Sequence, residues 1–165
     1  MSGTRDGAME IRRARPEDAA AAADVMRRSI AELCLADHAN DPAIVNAWLA
    51  NKRPEIVARW IARPDNHFFV ACEGGAIRAV GAMTSAGEIM LNYVAPEARF
   101  SGVSRALLRI LEETARALGQ ARCTLTSTKT ARRFYRDARY AESGPPVRKF
   151  GSESYPMAKQ LAIEI

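Results

Sequence analysis

The chain has 165 residues, with 24 Lys plus Arg against 19 Asp plus Glu, and is 48% hydrophobic and 26% charged. That is enough for one compact domain with a real core, and it excludes disordered and collagen-like chains. No uncharged stretch approaches the roughly 20 apolar residues of a membrane span, and the polar opening MSGTRDGAME lacks the apolar run of a secretory signal. Residues 1–8 therefore read as a flexible leader, residues 9–165 as one domain, and the expected compartment is the cytoplasm, with no membrane partner. Cys34, Cys72 and Cys123 are too far apart for a CxxC site and too few for a disulfide framework. With His38 and His67 the only histidines, no metal is expected. A net charge of +5 suits an anionic ligand or a nucleic acid, yet the arginines alternate with Glu and Asp, so charge alone decides little.

In chain order, Glu10–Ala14 reads as a first strand, and Pro16-Glu-Asp opens a helix whose apolar positions Val25, Met26, Ile30, Leu33 and Cys34 recur at three- and four-residue spacing. Asp37 and His38 fall in the loop after it. Asp41-Pro42 and Pro54-Glu55 start two further helices. At His67 the period changes. FFVAC, the turn Gly74-Gly75, AIRAVGAMT, a second turn at Ser85–Gly87 and EIMLNYV form an antiparallel three-strand meander. GVSRALLRILEETARALG is an amphipathic helix with Val103, Leu107, Ile110, Leu111, Thr114 and Leu118 on its apolar face and Glu112 off it. A strand (ARCTLTST), a helix (TARRFYRDARY) and a terminal hairpin (VRKFG, SYPMAKQL) complete an α/β domain, a mixed sheet with helices on its faces.

The chemistry sits where the third meander strand ends at Pro96 and a loop with Arg99 and Gly102 runs straight into the long helix. A helix N-terminus offers unpaired N–H groups and partial positive charge, and a glycine there lets the main chain approach a phosphate closely. Ser101 and Ser104 add hydroxyl donors. On its own this pattern is more often a plain helix start.

Val94-Ala95-Pro96, followed by Arg99-Phe-Ser-Gly-Val-Ser104 and Arg105-Ala-Leu-Leu108, resembles the Q/R-x-x-G-x-G/A loop of the GNAT superfamily of acetyl-CoA-dependent N-acetyltransferases. A second match lies downstream, where Ala131, Phe134 and Tyr135 are in register with that family's A-x-x-F-Y element. The sequence departs from the family pattern at Phe100, Ser104, Thr128 and Arg139-Tyr140. The resemblance covers roughly Met9–Leu161. It implies a single GNAT-type domain with a mixed sheet of about six or seven strands and direct transfer of an acetyl group from acetyl-CoA to a primary amine in a ternary complex. Acetyl-CoA as co-substrate is then held by Asn92, Tyr93, Val94, Arg99, Phe100, Ser101, Gly102, Val103, Ser104 and Arg105. A backbone N–H near Tyr93 or Val94 serves as oxyanion donor, Tyr135 as general acid, and Glu88 as a candidate base. Asp37, His38, Trp48, Trp60 and Tyr93 are candidates for the acceptor side. The expected acceptor is a small molecule, and a homodimer built on the edge of the terminal hairpin is a family expectation. Two other readings compete. One is a CoA-binding module without turnover; the other, a nucleic-acid binder, rests only on a sequence pI near 9.4 and on Arg132, Arg133, Arg136 and Arg139 clustering on one short helix.

Overall fold

A computed structural model describes residues 8–162, so the expected leader lies outside the described residues apart from Ala8. Strand β1 (Glu10–Arg13) leads through a 3-10 turn at Pro16–Asp18 into helix α1 (Ala19–Leu33). The expected loop after α1 contains a one-turn helix, α2 (Leu35–His38), before α3 (Pro42–Leu49) and α4 (Pro54–Ala62). Prolines at the first helical positions begin α3 and α4, and Asp41 caps α3 by accepting from Ala43 N at 2.9 Å. The meander is β2 (Asn66–Glu73), β3 (Ala76–Thr84) and β4 (Glu88–Val94), and all three strands pair antiparallel as the turns demand. Then follow α5 (Val103–Ala117), β5 (Arg122–Ser127), α6 (Arg132–Asp137), a two-residue strand β6 (Ala141–Glu142), β7 (Val147–Lys149) and β8 (Ser152–Gln160).

The sheet runs β1-β2-β3-β4-β5-β8-β6, with β7 also paired to β8, which makes eight strands where six or seven were expected; the additional one is the short β6. Because β6 and β7 pair with β8 on the side away from β5, β8 is an inner strand and offers no free edge. Ala79–Met83 of β3 are all buried in succession, and successive strand residues point to opposite faces, so both faces of the sheet are covered. α1, packed with α3 and α4, covers one face, and α5 lies on the other. Gly81 of β3 is the point of closest approach of α5, because a Cβ there would lie 2.8 Å from Leu107 Cγ.

The buried face of α5 differs from the expected one. Val103, Leu107, Leu108, Leu111, Glu112 and Ala115 face the core, whereas Leu118 is 42% exposed. Glu112 is buried because Tyr140 Oη donates to its Oε2 at 2.8 Å and Lys159 Nζ donates to both carboxylate oxygens at 3.0 and 3.1 Å. Burial and the adjoining carboxylate together push the Tyr140 phenol upward, so it stays the donor.

Candidate functional site

The parallel pair β4–β5 is held only by Glu88↔Thr124 and Ile89↔Leu125. Beyond Ile89 the strands part, while β4 stays bonded to β3 through Leu91, Asn92, Tyr93 and Val94. The backbone of Met90–Val94 therefore has no strand partner on its β5 side, which is the arrangement in which an extended ligand bonds like an added strand.

Two cavities open from this gap. The larger, about 510 Å3, is walled by β4, β5, α6, the α5 N-terminus and the Ser29, Leu33 and Cys34 side of α1. All ten residues expected to hold acetyl-CoA line it, and so does Tyr135. The smaller, about 250 Å3, lies toward α3, α4 and the β7–β8 hairpin, and Glu88, Trp48 and Trp60 line it. Ile89, Met90, Leu91, Tyr93, Thr126 and Thr128 border both cavities, so they form one cleft divided by the parted strands.

At the anionic end of the larger cavity, α5 is N-capped by Gly102 at φ +83°, a left-handed conformation that favours glycine. A Cβ there would meet no protein atom, so backbone angle sets the residue and the space in front of it is open. The first helical hydrogen bond runs from Ala106 N to Gly102 O, leaving the amides of Val103, Ser104 and Arg105 ahead of it. Arg99 and Arg105 add positive charge. Phe100 is 91% exposed at φ +64°, under the Arg99 guanidinium. The Ser101 hydroxyl does not serve as expected, because it donates to Ala98 O at 2.6 Å and so braces the loop. These features fit a pyrophosphate, and the Asn92 Oδ1, buried in the same cavity without a hydrogen-bond partner, fits a ligand carrying an N–H or O–H donor.

At the other end, the Tyr135 ring is buried edge-on to Phe134 and Tyr140, with centroids 5.1 and 5.6 Å away. Burial pushes its phenol up to about 12, with the neighbouring Asn92 side chain pulling the other way, so Tyr135 carries its proton at neutral pH. Burial likewise pushes the Cys34 thiol up to about 12, the direction opposite to an activated thiolate. Tyr93 Oη, also pushed upward by burial, accepts from Trp48 Nε1 at 3.2 Å across the divide.

Of the two loop residues expected on the acceptor side, Asp37 lines the smaller cavity and His38 does not. The Asp37 carboxylate lines the smaller cavity, but it accepts from Lys129 N (2.7 Å), Thr130 N (3.2 Å) and Thr130 Oγ1 (2.5 Å), which anchors the β5–α6 loop and with it Tyr135. His38 is fully buried, its Nδ1 accepting from Asn40 N and its Nε2 donating to Ile30 O, so neither nitrogen faces a cavity. Of the arginine cluster, Arg132 and Arg136 pair with Glu142, and Arg132 also covers the Tyr155 ring. That leaves little of a continuous basic face. Residues that sequence reasoning missed are Asn51, Lys52, Lys149 and Phe150, which line the smaller cavity from two distant turns.

Among the described residues, no group of three or more His, Cys, Asp or Glu is placed to hold a metal, and no helix is long and apolar enough to cross a membrane. Residues 34–161 match the family model of the acetyltransferase (GNAT) domain. Among curated proteins, none matches the chain by sequence. Similar solved structures include a GCN5-related N-acetyltransferase from Rhodopseudomonas palustris (TM-score 0.84, 22% identity, 97% of this chain and 100% of that one). The PaiA N-acetyltransferase of Thermoplasma acidophilum, solved with coenzyme A, superposes at TM-score 0.80 with 19% identity over 93% of this chain and 99% of that one. YncA of Salmonella typhimurium, a protein solved with acetyl-CoA, superposes at 0.69 with 21% identity over 96% of each chain. At these identities the likeness is one of fold.

Proposed function

The chain belongs to the GNAT acetyltransferase family, and on that premise we propose that it transfers the acetyl group of acetyl-CoA directly to a primary amine. The larger cavity takes the CoA portion and the smaller one the amine. The observation that carries this reading is the single cleft across the parted β4 and β5 strands, with a helix N-terminus at one end, a protonated tyrosine inside it and a second cavity opening beyond.

Acetyl-CoA supplies an activated thioester, and this chain's residues do the rest. The amides of Val103, Ser104 and Arg105, with Arg99, hold the pyrophosphate, and the open backbone of Asn92–Val94 orients the extended arm. The backbone N–H groups near Tyr93 and Val94 that face the gap are the proposed donors to the oxyanion. Tyr135 Oη holds a proton for the departing sulfur, and Asp37 fixes the loop that places it. Glu88, exposed at the smaller cavity and without an ion-pair partner among the described residues, is the proposed proton acceptor for the amine. Asp37 is unsuited to that task because its oxygens are occupied. The smaller volume lies below the roughly 300–1,000 Å3 of drug-sized ligand sites, which favours a small acceptor.

Two measurements test the reading: thermal unfolding with and without acetyl-CoA, and thiol release from acetyl-CoA over an amine panel. A ligand at about 100 times its dissociation constant adds roughly 2.7 kcal/mol of stability, so an upward shift of several degrees is expected, with thiol release dependent on an amine. A shift without thiol release from any amine would leave a CoA-binding module. Absence of both would sink the proposal.

A further inference from the structure

The smaller cavity contains a charge that the protein does not neutralise. Lys52, in the turn between α3 and α4, is 4% exposed, yet among the described residues its ammonium makes neither a hydrogen bond nor a salt bridge. Its one neighbour of note is the Phe150 ring, whose centroid lies 5.2 Å from Nζ. Burial, helped by Lys149, pulls its ammonium down to about 8, so the charged form is held at a cost. The cavity's two carboxylates do not relieve it. Asp37 is taken up by the β5–α6 loop, and Glu88 sits exposed at the start of β4. The adjacent Asn51 supplies the opposite need, because its Oδ1 is buried in the same cavity with no donor. A buried acceptor without a donor is expensive unless something completes it, and the Lys52 ammonium in the same cavity is open to a partner of opposite charge. Trp48, Trp60, Tyr93 and Phe150 add aromatic rings to a wall that also carries aliphatic side chains and the hydroxyls of threonines and serines.

We propose that the acceptor is a free amino acid with an apolar or aromatic side chain, its carboxylate seated on Lys52, with Lys149 at the rim, and an amine N–H directed to Asn51. A carboxylate completes the ammonium with a charge-assisted hydrogen bond, and the aromatic wall takes the side chain. The same charges disfavour polyamines, whose ammonium groups would meet Lys52 unshielded.

This inference rests on the acetyl-transfer reading for its consequence but not for its test, because binding can be measured without turnover. The protein saturated with CoA is titrated calorimetrically with L-phenylalanine, L-tryptophan, L-leucine and L-methionine, each against its own carboxamide. At least one acid is expected to bind about tenfold or more tightly than its amide. Lys52→Met should remove that preference while melting no lower than the parent, since it deletes an uncompensated buried charge and keeps the stem's bulk. Lys149→Gln, at an exposed position that does not threaten folding, should weaken acid binding several-fold. The proposal is overturned if no acid outcompetes its amide, if spermidine binds better than every acid, or if the preference survives Lys52→Met. Thiol release from acetyl-CoA with the same compounds separates the two readings. Acids that bind without turnover sink the transfer reading and with it the acceptor role, leaving only the carboxylate site, whereas turnover of plain amines with no acid preference sinks this inference alone.

Discussion

Removing one oxygen, in Tyr135→Phe, separates proton supply from binding. The ring still packs on Phe134 and Tyr140 and still walls the larger cavity. The turnover rate is therefore expected to fall about 10²-fold, while the thermal shift produced by CoA stays at the parental value. Equal rates for the two proteins would remove Tyr135 from the chemistry. At this scale the sequence was legible where backbone chemistry dictates the residue. Gly102 stands at a positive φ and begins the helix that the motif predicts. It was not legible for side chains whose partners are remote. Asp37 looks like any loop carboxylate until Lys129 and Thr130 fold onto it, and Lys52 looks like a solvated turn lysine until α3, α4 and the β7–β8 hairpin close around it.

Among the elements, α5 shows how far a helical wheel reaches. The wheel correctly separates Leu107 and Leu111 from Arg105 and Arg109, but it places Glu112 with the solvent because charged residues are seldom buried without a partner. The partners, Tyr140 and Lys159, come from the loop after α6 and from β8. Glu112→Ala would strand the Lys159 ammonium and the Tyr140 hydroxyl, so a loss of about 3–5 kcal/mol is expected in denaturant unfolding. A loss under about 1 kcal/mol would show that water takes over the carboxylate's role. The meander was legible almost residue for residue, since Gly-Gly, Ser-Ala-Gly and Pro punctuate three runs rich in strand formers. α2 and β6 were not, because four-residue and two-residue elements carry no periodicity and form only against neighbours already in place.

For the molecule as a whole, one join between sheet and helix layer is an ion pair at the entry to α1. Arg12 of β1 grips both oxygens of Asp18 at 2.8 and 2.9 Å, and Asp18 also accepts from Arg15 N at 2.7 Å where the chain turns into α1. The Arg12 hydrogen bonds hold the Asp18 carboxyl below its ordinary value of 3.8, so their stabilisation is complete above roughly pH 4 and is lost as pH falls through the lower folded value. Asp18→Asn should cost about 2 kcal/mol at pH 7 and progressively less in acid, as measured by denaturant titrations at pH 7, 4 and 3. An equal cost at all three would mean the ion pair contributes nothing. The sequence by itself determined the order and type of the main elements, the α/β class with a mixed sheet, and the loop-to-helix motif whose residues converge on the larger cavity. Those depend on periodicity, turn chemistry and helix-end geometry, all short-range properties of the chain. Only the tertiary structure decided where β4 and β5 part, which carboxylates are occupied, and that Lys52 and Asn51 face a second cavity unpaired. Burial and the pairing of charges are set by groups far apart along the chain, and no local pattern encodes their meeting.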